Sequence, residues 1–158
     1  SFATFPVPPA PADYRLEVES IRGGQAQLST RVNLAWTFRS ETVPDGFAPL
    51  SITAVRFTPS LDDRNAAPAD RFTVVPFDVS RQEGATVATI RHLDVDASFD
   101  GGQTWHHALV VRIGERVFAL LRHPRRGGGT VSLRATSRDR DGNTMEQTIV
   151  DAYHLRDR

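Results

Sequence analysis

The stretch Arg31-Val32-Asn33-Leu34-Ala35-Trp36-Thr37-Phe38-Arg39 changes between apolar and more polar side chains at nearly every step. The large apolar side chains all stand at even positions, namely Val32, Leu34, Trp36 and Phe38. A period of two places successive side chains on opposite faces of a β-strand. The stretch therefore predicts a strand with one face in a core and the other in water.

The same period returns around Leu16, Val111 and Leu133, and clusters of Gly, Pro, Asn and Asp separate these runs. No window sustains the apolar stripe of a helix. We predict about nine strands, near residues 14–21, 29–39, 50–57, 71–79, 86–97, 105–113, 116–122, 130–137 and 145–154. Gly114-Glu115 is the expected tight turn of a hairpin. Short strands at this spacing are typical of an all-β, antiparallel β-sandwich of immunoglobulin or fibronectin type III kind.

The length of 158 residues predicts one domain. Residues 1–12 hold four prolines and are predicted to be a proline-rich lead-in or linker, followed by a single β-sandwich over 13–158. A polar interruption near residues 59–70 leaves a division into two small β units as an alternative, with one sandwich favoured because about 60 residues make a marginal core. No charged segment followed by an apolar run opens the sequence, so we expect no signal peptide and a piece of a longer protein.

The charge and cysteine content exclude several classes of function. Nineteen basic residues, all arginine, balance nineteen acidic ones. A general affinity for nucleic acid is therefore not expected, and the composition predicts no membrane span. The chain has no cysteine. Disulfides, thiolate metal sites and cysteine catalysis are thereby ruled out.

The most specific local motif is an S-x-D-x-G-x-T-W pattern, the Asp-box, over residues 98–105. Its defined positions are Ser98, Asp100, Gly102, Thr104 and Trp105. An Asx residue can accept backbone N–H bonds within a turn, and glycine supplies a positive φ there. We interpret the motif as a structural hairpin turn. A sialidase-type propeller would repeat the box in several blades, whereas one copy is present.

The segment Asp139-Arg140-Asp141-Gly142-Asn143-Thr144 is a second candidate. Its oxygen atoms could hold calcium, but the spacing is not that of an EF-hand loop, so a turn between strands is favoured and calcium stays an alternative. Asp94 and Asp96 share a strand face and are interpreted as a solvated edge.

Neither the histidines nor the hydroxyl residues form a catalytic pattern. His92, His123 and His154 lack metal-ligand spacing and are interpreted as ordinary surface or half-buried residues, while the adjacent His106 and His107 leave a strand on opposite faces. No G-x-S-x-G motif and no phosphate-binding glycine loop occurs. We therefore predict no catalytic residue, no cofactor and no metal. The basic loop 122–126 is interpreted as solvated, with an acidic partner as the alternative.

An ordered set of motifs resembles the C-terminal β-rich region of large secreted subtilisin-like serine proteases from high-GC Gram-positive bacteria. The set comprises the hairpin at 98–105, the run Val131-Ser132-Leu133-Arg134-Ala135, the turn Asp141-Gly142-Asn143 and the run 147–153. The stretches 36–40 and 55–59, with 61–62 and 67–69, also fit. The resemblance covers nearly the whole chain after the proline lead-in.

The resemblance implies an accessory domain that lies downstream of a protease and is secreted to the extracellular space. The subtilisin signatures D-[ST]-G, H-G-T-x-V and G-T-S-M-A are not in this sequence, so no catalytic residue is carried over. The parent protein is then a serine endopeptidase, and the partners are its catalytic domain and its protein substrate. The alternative is a free-standing extracellular module that binds a ligand or carbohydrate. An Asp-box glycosidase fragment is a third hypothesis.

Overall fold

The structure is a computed structural model that describes residues 5–157. The described chain forms ten β-strands and no helix, which confirms the all-β prediction. The strands are β1 (Ala12–Ile21), β2 (Arg31–Ser40), β3 (Thr53–Phe57), β4 (Ala66–Pro68), β5 (Phe72–Arg81), β6 (Ile90–Ser98), β7 (His106–Ile113), β8 (Arg116–Arg122), β9 (Thr130–Asp139) and β10 (Thr144–Arg156).

The strands follow one hydrogen-bonded path in the order β1-β2-β10-β9-β6-β7-β8-β5-β3. Each neighbouring pair on this path is antiparallel, and β4 adds a short parallel pairing with β10. β7 takes part in two layers. Its residues His106–Ala108 pair with β6, and Leu109–Ile113 pair with β8. The path therefore bends at the middle of β7.

The bend folds the path over one hydrophobic core. Side chains from β2, β9 and β10 form a single cluster with side chains from β3, β5 and β8, including Trp36, Leu133, Tyr153, Val55, Phe77 and Leu121. Two polar side chains tie the layers together. Trp36 Nε1 donates to the carbonyl of Thr53 at 2.6 Å. Gln147 accepts from the backbone N–H of Val55 at 3.0 Å and donates to its carbonyl at 2.6 Å.

The strand missing from the nine predicted ones is β4, which lies inside the polar interruption near residues 59–70. Ala67 is buried, and the backbone N–H of Ala69, the residue after β4, bonds to the carbonyl of Arg156 at 2.9 Å. The segment therefore attaches to β10 as part of the same sheet. The predicted turn at Gly114 is confirmed, because Ile113 pairs with Arg116 across a two-residue loop.

The described part of the lead-in, residues 5–11, precedes β1 without regular structure. Two hydrogen bonds reach it from β1 and from the residues after β2. Tyr14 donates its hydroxyl to the carbonyl of Pro8, and Thr42 donates its backbone N–H to the carbonyl of Pro9. Residues 1–4 of the predicted lead-in lie outside the described residues.

Candidate functional site

The predicted motif at 98–105 forms the loop between β6 and β7, and the structure brings its polar side chains together. Asp100 Oδ1 accepts the backbone N–H groups of Gln103 and Thr104 at 3.0 and 2.9 Å, and Oδ2 accepts the Thr104 hydroxyl at 2.6 Å. The buried Ser98 hydroxyl donates to Asp100 at 2.7 Å and accepts the N–H of Gly102 at 2.9 Å. These bonds, those from Thr104 above all, hold the pKa of the Asp100 carboxyl far below its usual range.

Trp105 lies half-buried against this turn. A Cβ placed on Gly102, whose φ is +91°, would meet the indole ring at 3.5 Å. The Arg134 guanidinium lies over the tryptophan ring, 4.5 Å from its centroid, and forms an ion pair with Asp96 at 2.9 Å. Packing and a cation–π contact therefore fix the indole ring.

The interpretation of Asp96 as a residue of a solvated edge is wrong. β6 lies between β9 and β7, so it is an interior strand where Asp96 stands. The carboxylate bonds to Arg134 on one side and to His107 on the other, where Nδ1 lies 3.3 Å from Oδ1. Asp96 has these partners because each strand next to β6 places one basic residue directly opposite it, His107 on β7 and Arg134 on β9.

The second motif closes the hairpin between β9 and β10. Asp139, which is buried, accepts three hydrogen bonds, from the backbone N–H groups of Asp141 and Asn143 at 2.9 Å each and from the Asn143 amide at 2.8 Å. Gly142 takes a φ of +89°. Among the described residues no group of three or more His, Cys, Asp or Glu side chains is placed to hold a metal ion. The carboxylate of Asp139 is thus engaged by its own turn.

The same device recurs at Asp62, which the sequence reasoning missed. Asp62 Oδ1 accepts the N–H groups two and four residues on, from Arg64 at 3.0 Å and Ala66 at 2.9 Å, as Asp139 does from Asp141 and Asn143. The Ala66 N–H contributes most to keeping the pKa of the Asp62 carboxyl below its usual range. Asn65, at the position of Gly142, has a φ of +56°. An Asp followed three positions later by Asn or Gly, which adopt a positive φ more readily than other residues, is the sequence signal that links the two turns.

His123 is fully buried, which corrects its interpretation as a surface or half-buried residue. Its Nδ1 lies 2.9 Å from the carbonyl of Pro68, and its Nε2 lies 2.9 Å from the hydroxyl of Tyr153. Burial, with a smaller contribution from Arg71, lowers the pKa of His123 in spite of the bond to Pro68. Both ring nitrogens therefore bond to groups inside the core, and the imidazole has a structural role there.

An exposed apolar surface covers the outer face of β5, β8 and β7, and we call it the apolar face. Val74 and Leu109 flank Leu120 in register, and Pro76 and Val111 flank Phe118 in the next row. Phe72, at the start of β5, and Ile113, at the end of β7, extend the apolar face at its two ends. Large fractions of the side chains stay exposed, 68% for Phe72, 63% for Leu109 and 66% for Ile113.

The charges of the apolar face stand at its margins. Arg122 lies over the ring of Phe72 with its guanidinium carbon 5.1 Å from the centroid, and Arg116 pairs in register with Ile113. Contiguous apolar areas of this kind on soluble proteins mark surfaces that another molecule or domain covers. The apolar face is therefore the candidate interaction site of the described chain.

Comparisons with protein-family models, with curated proteins and with solved structures found no match for this chain. Within residues 5–157, no helix has the length and apolar character needed to cross a membrane.

Proposed function

We propose that this chain is a non-catalytic accessory domain of a secreted subtilisin-like protease. In this role it stabilises the catalytic domain, helps to engage protein substrate, or does both. The apolar face is the observation that carries the proposal, because a sheet face that exposes Phe72, Leu109 and Ile113 is suited to contact with a neighbouring domain. The motif resemblance supplies the kind of neighbour.

The polar groups support a structural rather than a catalytic use. Asp100 and Asp139 accept backbone N–H groups of their own turns. The two ring nitrogens of His123 bond within the core. A general base needs a free nitrogen or carboxylate oxygen at the reacting proton, and these groups are already occupied.

The family assignment is tested by the sequence encoded before residue 1, where a subtilisin catalytic triad is expected. The isolated chain is expected to cleave no peptide bond in a peptidase assay. Efficient cleavage by the isolated chain would overturn the proposal.

Docking through the apolar face is tested by mixing the chain with the catalytic domain and measuring the thermal midpoint of that domain. The wild-type chain is expected to raise the midpoint, and the Val74→Ser/Leu109→Ser variant is not. Val18→Ser is the matched control, because Val18 is exposed on β1, away from the apolar face. Sedimentation of the chain alone measures whether a second copy covers the face instead, which would contradict this docking.

A pocket supports the alternative role as a module that binds a ligand or carbohydrate. It has a volume of about 400 Å³ and is lined by Phe99, His106 and Arg122 among others. Phe99 and His106 stack with ring centroids 5.7 Å apart. An aromatic platform beside polar groups suits a small polar ligand. A glycan-array screen with a Phe99→Ala variant tests it, and retention of a glycan that the variant loses would favour this alternative.

A further inference from the structure

A cleft opens where β6 and β7 separate. β6 and β7 pair only from Val95 to Ala97 and from His106 to Ala108, and beyond Ala108 β7 joins β8 in the other layer. The space between them has a volume of about 820 Å³. Its floor is the edge of the core, formed by Phe77, Val79, Leu93, Val110 and Val117.

Two strand edges face this cleft. The first is the β7-facing edge of β6 over residues 90–94, and the second is the β6-facing edge of β7 over residues 109–113. Within the described chain, β6 pairs there with β9 alone and β7 with β8 alone. Open edges offer backbone N–H and carbonyl groups to an added strand.

The walls of the cleft carry more positive than negative charge. Three arginines line it, Arg81, Arg91 and Arg112, against two carboxylates, Asp78 and Glu115. No ion pair engages any of these five side chains within the described part of the chain. By strand alternation Arg81 and Arg112 fall on the core-facing side, in line with Val79 and Val110. Their guanidinium groups are thus placed at the mouth of an apolar cleft.

We infer that this cleft binds an extended peptide whose cleft-facing side chains, which stand at every second position, are apolar and acidic in turn. The apolar side chains contact the floor, the carboxylates meet the three arginines, and the peptide backbone pairs with an edge of β6 or β7. The inference deepens the proposed function, since it names the site and the chemistry through which such a domain engages protein substrate.

Fluorescence anisotropy of the full chain with a labelled peptide tests the inference. The probe is a peptide of about eight residues, long enough to span one edge, in which serine separates cleft-facing positions that are valine and glutamate in turn. The same peptide with lysine in place of each glutamate is the matched control for charge, and an N-methylated version of the probe removes backbone donors. Only the unmodified acidic peptide is expected to bind, and its binding weakens as salt is added.

Two variants separate the cleft from the rest of the surface. Arg112→Glu is expected to weaken binding by about ten-fold or more, and Arg64→Glu by less than about two-fold, because Arg64 is exposed in the turn before β4. Thermal melting checks that both variants fold. Binding that Arg112→Glu leaves unchanged would overturn the inference. So would no binding at all, which is the result expected if the arginines serve only to keep the open edges from aggregating.

Amide hydrogen exchange locates the peptide. Protection gained over residues 90–94 or 109–113 is expected, and protection gained elsewhere would contradict the assignment. This test uses the chain by itself, whereas the docking test needs the catalytic domain. Failure here therefore removes the cleft as a site and leaves docking through the apolar face intact.

Discussion

The hydroxyl of Tyr153 and the Nε2 atom of His123 lie 2.9 Å apart in the core, where both side chains are almost completely buried. Because the carbonyl of Pro68 can only accept, the Nδ1 atom of His123 carries the proton of the neutral ring. Nε2 then accepts from the tyrosine hydroxyl. One tautomer therefore satisfies both ring nitrogens, and a second ring proton would remove the acceptor that Tyr153 needs.

This pairing predicts that the protein loses stability in mild acid. Burial lowers the pKa of His123 in the folded state, so the unfolded chain takes up this proton first, near pH 6.5. Stability then falls as the pH drops below that value, since the unfolded state binds more protons. Urea unfolding between about pH 7 and pH 5 measures the effect. His123→Gln is expected to flatten the dependence and His92→Gln, at an exposed residue, to keep it. An unchanged slope in His123→Gln would contradict the prediction.

Removing the tyrosine hydroxyl is expected to lower the free energy of unfolding. Tyr153→Phe leaves the buried Nε2 of His123 without its donor, at a cost of about 1–3 kcal/mol. The matched control is Tyr14→Phe, whose hydroxyl makes an exposed bond of 3.3 Å to Pro8. Chemical denaturation of both variants gives the comparison, and equal losses would contradict a special cost for the buried bond.

Gln147 is expected to be the most sensitive polar position between the layers. Its amide bonds to both backbone groups of Val55, so Gln147→Leu leaves a buried N–H and a buried carbonyl unpaired. Each orphaned group costs about 1–3 kcal/mol. The unfolding midpoint in urea measures the loss, with Gln25→Leu at an exposed loop residue as the control. A variant as stable as the wild type would show that water or a rearranged β3 replaces the amide.

Asp100→Ala is expected to loosen the turn between β6 and β7. The N–H groups of Gln103 and Thr104 lose their acceptor, so their exchange with solvent accelerates by about ten-fold or more. Hydrogen exchange followed by NMR measures both amides, and Asp45→Ala in an exposed loop is the control. Unchanged protection at residues 103 and 104 would refute a role for the carboxylate in closing this turn.

Asp139→Ala is expected to lower the free energy of unfolding by about 1–3 kcal/mol, because three donors lose a buried acceptor. Asp141→Ala is the control, since the Asp141 side chain is exposed.

The wild-type thermal midpoint is expected to be the same in millimolar calcium and in chelator. A midpoint that rises with calcium would show that the loop binds the ion after all.

Alternation in the sequence was enough to predict most strands, because one face of each meets the core. Trp36 and Phe38 are buried on β2 as their parity requires. The sequence did not predict β4, because Ala66, Ala67 and Pro68 are too few and too small to show a period. Their pairing with β10 is a contact distant in sequence. The apolar pattern also does not tell which side of a strand faces the core and which apolar face stays exposed to solvent. Leu109 alternates like a core residue and yet points outward.

The candidate sites were only partly predictable for a related reason. The turns at Ser98 and Asp139 depend on side chains within a few residues of one another, and local spacing makes them visible. His123 bonds to Tyr153, which lies thirty residues later in the sequence, and no local pattern predicts that contact. The cleft depends on the point at which β7 leaves β6, which is set by packing and not by any residue type.

The divided pairing of β7 has a mechanical consequence. One continuous backbone links the two layers between Ala108 and Leu109, so a load that pulls the layers apart is carried by covalent bonds at that point. One of the two ladders that β7 makes must therefore break before the layers separate. Under tension the ladder of three residue pairs with β6 is then expected to break before the ladder of five pairs with β8.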